Sequence, residues 1–365
     1  MFRTGADSVS ARLRQRLHEA IAAAGGWLPF DRFMAITLYE PGLGYYTRDA
    51  RQFGALPSSG SDFITAPELS PLFGAALARQ LAQALDATGT DELFEFGAGS
   101  GALAAQLLDA LGRRVRRYAI VDLSGTLRAR QAERLARFGD RVCWLDAWPA
   151  RIEGVVVGNE VLDAMPVQLL HFDGTGWQER GVASAGDGFA WQDRPTALRP
   201  PHAGPFEPGT VTEIHPQAEA FVRALAARLA RGAAFFVDYG FPEAEYYHPQ
   251  RSGGTLMCHR GHQADADPLA DAGEKDITAH VNFSAVALAG QDAGLQVLGY
   301  TSQAHFLLNC GITELLQDAS LAERAAAQKL LAEHEMGELF KVIGFVAGEP
   351  FDALGFVHGD RSHRL

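Results

Sequence analysis

The chain has 365 residues and only three cysteines, Cys143, Cys258 and Cys310, far apart and without metal-ligand spacing. They read as buried or free thiols in a reducing compartment. No apolar run reaches membrane-spanning length, and no signal-peptide core is present, so membrane insertion is not expected. There is no internal repeat and no low-complexity tract. Positive charge is scarce: 32 Lys and Arg stand against 44 Asp and Glu, a formal net charge of -12. That argues against a nucleic-acid partner, which needs a basic face, and leaves small or cationic ligands open. Arg3, Arg12, Arg14 and Arg16 crowd the N-terminus, but the periodic pattern runs on without a break. They read as part of an amphipathic first helix rather than a transit peptide. These features point to a cytoplasmic protein, with the mitochondrial matrix as the alternative. At 47% hydrophobic and 21% charged, the chain can bury a large core: one domain with embellishments, or two.

What is present starts with Leu93-Phe94-Glu95-Phe96-Gly97-Ala98-Gly99-Ser100-Gly101. This is an apolar strand, a glycine turn, and a helix opening at Ala102. Glycines let the backbone turn tightly and approach a ligand closely. The spacing is G-x-G-x-G, not the G-x-G-x-x-G of dinucleotide binders, which disfavours an NAD(P) oxidoreductase. No Lys-Ser/Thr comes after it, which excludes a P-loop. Glu95 on the strand end suits a cationic nucleoside thioether, S-adenosylmethionine (SAM), whose product is S-adenosylhomocysteine.

A second apolar run, Tyr118 to Val121, ends in Asp122 and Leu123. It lies about 20 residues past the glycines, where a βαβ nucleotide site places its ribose-binding carboxylate. The plain alternative for Asp122 is a surface acid at a strand end. A third run ends in Asp146 and Ala147, positioned to accept from an adenine amino group or simply to cap a loop. The candidate cofactor residues are Glu95, Gly97, Ala98, Gly99, Gly101, Asp122, Leu123, Asp146, Ala147 and, from the fourth strand, Asn159.

Residues 9–24 and 68–86 carry helical periodicity. The segment 27–63 between them is too Gly/Pro-punctuated for long regular elements. From 93 onward, strands at 93–97, 117–122, 141–145, 154–158 and 233–237 alternate with helices at 102–111, 125–138 and 216–230. The tail, 295–348, reads as strand, helix, strand. The fold class is therefore α/β: a Rossmann-like, mostly parallel sheet with helices on both faces. Residues 1–88 form an N-terminal helical and loop extension that covers part of the site, and 89–365 form the SAM-binding domain. Two inserts interrupt it: 167–215, read as β-hairpins, and 239–285, read as loop-rich. Long connections of this kind are more often functional covers than accidents.

Several segments together resemble the MidA-like family of SAM-dependent methyltransferases, which have the class I methyltransferase fold. They are Leu38 to Tyr46, Asp62 to Gly74, the glycine loop, Asn159-Glu160-Val161-Leu162-Asp163-Ala164-Met165-Pro166-Val167, Val237 to Gly240, Gly253 to Leu256, and Asp276 to Phe283. They run in order over nearly the whole chain. Ser61, Asp122 and Gly125 depart from the family's usual glycine, glutamate and proline, and none of these removes a carboxylate or a loop glycine. The resemblance implies methylation of an arginine side chain on a partner protein, a respiratory-complex subunit among the candidates. It is silent on which protein this member modifies. In such enzymes the loop after the fourth strand lies beside the methyl group, which makes Glu160 and Asp163 candidates for gripping the acceptor.

Arginine arrives protonated, so carboxylates around it hold its planar fork and localise its charge. The bland reading of the loop is a polar segment whose Asn and Asp cap the next turn. His280 is a candidate proton acceptor, although a lone histidine is more often structural. Glu68 and Asp238 are candidate substrate contacts; Glu68 equally suits a helix start, and Asp238 a turn. Residues 62–68 form a candidate lid. Two further readings stay open, a small-molecule O- or N-methyltransferase and a non-catalytic assembly factor with a vestigial SAM site. The complete glycine loop, Glu95, Asp122 and the 159–166 segment favour catalysis.

Overall fold

The computed structural model describes residues 8–48, 65–122, 125–261 and 263–365. Its centre is a sheet of seven main strands: β1 (Glu92–Phe96), β2 (Arg117–Val121), β3 (Val142–Leu145), β4 (Ile152–Asn159), β5 (Leu229–Phe241), β6 (Gln296–Ser302) and β7 (Phe340–Ala347). Their order is β3-β2-β1-β4-β5-β7-β6, with Val281–Asn282 added to the end of β5. All main strands are parallel except β7, which runs antiparallel to both neighbours. Strand order thus reverses between β1 and β4, the switch point where open α/β sheets bind ligands.

The strands are buried on both faces, as their continuous apolar runs require. Leu93, Val155, Val157, Phe235 and Val342 face the helices Pro71–Thr88 and Ala102–Leu111. Phe94, Phe96, Val156, Phe236 and Ile343 face Pro216–Ala226 and Phe283–Asp292. The period-2 alternation along each strand builds these two clusters. The helix Pro71–Thr88 starts where the Ser70 hydroxyl accepts from the Leu72 amide at 3.2 Å and stops at Gly89, in the left-handed region.

A third cluster lies away from the sheet. Leu13, Leu17 and Ile21 of the helix Val9–Ala23, with Phe30, Phe33 and Met34 of the helix Phe30–Tyr39, pack on Leu169, Val182, Cys258 and Ile277 from the inserts. Here the structure corrects one expectation. The stretch Phe30–Tyr39 precedes the Gly/Pro cluster and contains neither residue, so it completes a ten-residue helix. The segment expected as one extension over 1–88 divides between clusters, since Pro71–Thr88 packs against the sheet.

The first insert is antiparallel as expected. Gln168–Phe172, Trp177–Ala185, Gly188–Pro195 and Val211–Ile214 join Leu28–Pro29 in a five-stranded sheet. The second insert, expected to be loop-rich, contains a three-stranded sheet of Met257–Arg260, Gln263–Asp265 and Asp276–Thr278. Those strands are too short to show alternation. The tail, expected as strand, helix, strand, places three α-helices and a π-helical turn, Glu333–Gly337, between β6 and β7.

Candidate functional site

The carboxyl ends of β1, β2, β4 and β5 converge on a cavity of about 890 Å³. At the end of β1 the chain passes through Gly97, Gly99 and Gly101 at φ 65°, 52° and 79°. L side chains avoid this region. A Cβ at Gly97 would also press on Val161 at 3.1 Å, so this turn and the 159–166 loop touch. Gln131, fully buried, ties the glycine turn to β2: its amide donates to the Gly99 carbonyl at 2.9 Å and to Asp122 at 2.8 Å. The Trp144 indole donates to Gln131 in turn. Glu95 is buried and accepts from the Tyr118 hydroxyl at 2.7 Å. Burial pushes its carboxyl up to about 8, the tyrosine works against that, and the Asp122 charge adds to it.

The turn after β4 is built differently. Asn159 donates to Glu160 at 2.9 Å, and Glu160 adopts φ 54° although it is not glycine. Asp238, at the end of β5, holds this turn. One of its carboxylate oxygens accepts the amides of Val161, Leu162 and Asp163 at 3.1, 2.8 and 3.3 Å. Asp163 accepts from the Tyr239 hydroxyl at 2.6 Å. Protein packed around Glu160 desolvates it, and this, with the Asp163 charge, pushes it up to about 8 even though it keeps some surface toward the cavity. Burial pushes Asp163 up to about 6 and raises Asp238 well above its ordinary value. His280 is pushed down to about 4, first by burial and then by Arg251 and Lys341, so it stands neutral.

The cavity wall brings together Glu95, Gly97, Ala98, Gly99, Asp122, Asn159, Glu160, Asp163 and His280 from the sequence-derived set. Five expected residues do not line it. Asp238 points into the loop it supports. Glu68 pairs with Arg134 and accepts from the Ser100 hydroxyl. The Asp146 side chain is 92% exposed and paired with Arg128, Ala147 is exposed, and Gly101 caps the helix behind the turn. Leu123, and residues 62–64 of the candidate lid, lie outside the described residues.

Sequence reading missed Tyr39, Trp148, Phe221, Tyr239 and Asp276, all on the wall; Tyr46, read from the sequence as core or pocket wall, stands there with them. Tyr39, Tyr46, Tyr239 and Asp276 stand inside the matched motifs, which was the available signal. Trp148 and Phe221 gave none, since each reads as core.

The wall fits a SAM-sized ligand. It offers a backbone cradle at Gly97–Gly99 and two buried oxygens, Asn159 Oδ1 and Asp163 Oδ1, without hydrogen-bond partners among the described residues. It also has an apolar flank of Leu127, Trp148 and Phe221. Its charge is one-sided: Glu95, Asp122, Glu160, Asp163 and Asp276 line it, and no lysine or arginine does among the described residues. No group of three or more potential metal-binding side chains occurs among those residues, and no helix there is long and apolar enough to cross a membrane.

Comparison with known proteins agrees with this geometry. A Burkholderia thailandensis protein solved bound to S-adenosyl-homocysteine is 53% identical, covers 100% of both chains and superposes with a TM-score of 0.95. A second crystal structure from the same organism, of an uncharacterized protein, is 52% identical with a TM-score of 0.90. "Protein arginine methyltransferase NDUFAF7, mitochondrial" of Danio rerio is 29% identical over 92% of this chain and 87% of that one. Its Caenorhabditis elegans homolog is 27% identical over 84% and 78%. The two NDUFAF7 relatives are named as mitochondrial, and their names do not support the cytoplasmic expectation. Residues 76–301 match the family described as "Putative S-adenosyl-L-methionine-dependent methyltransferase". The expected sheet, the glycine cradle at its switch point and this match agree: the chain belongs to that family of SAM-dependent methyltransferases.

Proposed function

We propose that this methyltransferase acts on an arginine side chain of a partner protein, with a respiratory-complex subunit as the candidate partner. The observation that carries the proposal is the one-sided charge of the cavity. A wall with five carboxylates and no lysine or arginine among the described residues suits two cations, a sulfonium and a guanidinium. The names of the relatives NDUFAF7 and its homologs support the same acceptor.

Gly97, Ala98 and Gly99 would hold the methionine part of SAM by backbone contact, with Asn159 beside it. Asp122, oriented by Gln131, would take the ribose hydroxyls. Leu127, Trp148 and Phe221 supply an apolar slot for the adenine. When bound, SAM supplies an electrophilic methyl carbon on a sulfonium.

The remaining work belongs to the loop after β4. Glu160 and Asp163 accept N–H bonds from the guanidinium and draw its positive charge away from the attacking nitrogen. In the ligand-free chain Glu160 is pushed up to about 8 and Asp163 to about 6; a guanidinium between them favours their ionised forms, which then hold it and are stronger bases than exposed carboxylates. The proton that leaves the methylated nitrogen goes to a carboxylate oxygen of this pair. His280, neutral and on the same wall, has a buried Nδ1 without a partner among the described residues; pushed down to about 4, it serves as a hydrogen-bonding group rather than as the proton's destination. Tyr239 fixes the Asp163 carboxylate, and Asp238 fixes the loop beneath both acids.

The test is radiolabelled SAM added with the purified chain to lysate from cells lacking it. Label in a polypeptide, recovered as methylarginine after hydrolysis, is the expected result. Label confined to small metabolites would overturn the protein acceptor, and label in another amino acid would overturn arginine.

A further inference from the structure

The proposed mechanism uses the loop after β4 and leaves part of the cavity wall unexplained. That part comes from two places far apart in sequence. Tyr39 and Tyr46, at the end of the helix Phe30–Tyr39 and just beyond it, stack with ring centroids 5.6 Å apart and 19° between planes. Both hydroxyls are engaged: Tyr39 donates to the Ala164 carbonyl at 2.8 Å, and Tyr46 to Asp276 Oδ1 at 2.8 Å. Asp276 begins the strand Asp276–Thr278 and is 3% exposed. Its carboxylate and the two rings share the wall with Glu160 and Asp163.

An independent feature marks this region as built for a ligand. Asp163 is only 5% exposed, and its Oδ1 meets no donor among the described residues. A buried carboxylate oxygen left so costs free energy unless something donates to it. The acids are also close enough to act on one another and on the rings. After burial, the charges of Asp276 and Asp163 are what raise the Tyr39 and Tyr46 hydroxyls, which keeps them neutral donors.

We infer that Tyr39, Tyr46 and Asp276 form a specificity subsite that selects a guanidinium over an ammonium, completing the acceptor site begun by Glu160 and Asp163. The inference rests on arginine being the acceptor. A guanidinium is planar, carries five N–H donors in a fixed fork, and stacks on aromatic faces. Two acids on one loop satisfy one side of that fork. A third acid, from a different chain segment and held by a tyrosine, fixes the orientation of the plane. The stacked rings give that plane a face to lie on. An ammonium is a compact, strongly hydrated charge with no plane, so rings and a third carboxylate do less for it.

The experiment uses the full chain saturated with S-adenosylhomocysteine and titrates two probes by calorimetry, Nα-acetyl-L-arginine methylamide and Nα-acetyl-L-lysine methylamide. The wild type should bind the arginine probe at least about 10-fold more tightly than the lysine probe. Asp276→Asn should weaken the arginine probe by about 10-fold and erase the preference, and Tyr46→Phe, losing one hydroxyl, by about 3-fold. S-adenosylhomocysteine affinity should stay within about twofold in both variants, which controls for folding. If Asp276→Asn loses that control, Tyr46→Phe decides. Unchanged arginine-probe affinity in the deciding variant overturns the subsite alone. A wild type that binds S-adenosylhomocysteine but shows no preference for the arginine probe overturns both the subsite and the arginine reading.

Discussion

The turns that leave β1 and β4 lie side by side at the switch point and both need left-handed backbone, but they obtain it in different ways. After β1 the chain uses Gly97, Gly99 and Gly101, for which that conformation is free. After β4 it uses Glu160, for which it is strained by roughly 1–3 kcal/mol. The glycine turn is held by Gln131 at Gly99 and by Glu68 and Arg134 at Ser100. The Glu160 turn needs the buried Asp238, which takes three consecutive amides. The first turn presents backbone to a ligand, and glycine does that best. The second presents a side chain, so glycine is not an option there and the strain has to be carried by support from β5.

The comparison is broken most severely by removing that support. Asp238→Ala leaves three amides without their acceptor and should cost roughly 3 kcal/mol of stability, read as a lower midpoint in denaturant unfolding at unchanged slope. An unchanged midpoint would mean that the second turn stands by itself. Gly99→Val forces a β-branched residue to φ 52° and should weaken S-adenosylhomocysteine by about 100-fold in calorimetry while Glu160 chemistry is untouched. Glu160→Gly makes the second turn like the first. It should raise stability by about 1 kcal/mol while abolishing methyl transfer to protein in the labelled-lysate assay, because relief of strain removes the side chain that required it.

Acidity distinguishes the two turns less sharply. Glu95 beside the first and Glu160 in the second are each pushed up from 4.5 to about 8, and Asp163 from 3.8 to about 6. The native chain therefore keeps these protons longer than the unfolded chain does. Their stabilisation is complete below pH of about 4 and is lost as pH rises through about 8. The melting temperature of the ligand-free chain should fall between pH 5 and 9, and Glu160→Gln should flatten that fall. The smallest effect tests the edge of the first turn's ligand site. Asp146→Ala should change S-adenosylhomocysteine affinity by less than about twofold, since its carboxylate is exposed and paired with Arg128, whereas Asp122→Ala should weaken it by about 10-fold.

The β1 turn was legible because its chemistry is local: three glycines at fixed spacing after an apolar strand say most of what the structure shows. The sheet was legible for the same reason, and its strand limits moved by only a few residues. Asp238 was legible as an acid at a strand end but not as the anchor of another loop, because the partner amides lie 75 to 77 positions away. Gln131 left no mark, since a glutamine in a helix looks solvated until the fold buries it. Asp146 was legible as an acid at a strand end, but its exposure and its pairing with Arg128, 18 positions away, were not. Tyr39, Tyr46 and Asp276 could be joined into one wall only once the third cluster brought residues 39–46 against residue 276.

That third cluster has a consequence for how the molecule is made. The apolar faces of Val9–Ala23 and Phe30–Tyr39 leave the ribosome well before the residues they pack on, Leu169, Val182, Cys258 and Ile277. Until residue 277 has emerged, Phe30, Phe33 and Met34 have no complete surface to bury against. Contacts of such long separation form slowly and leave a nascent chain exposed to aggregation or chaperone capture. The glycine cradle can close well before then, so in synthesis the side of the cavity that Tyr39 and Tyr46 supply is finished after the cradle, although its residues emerge earlier.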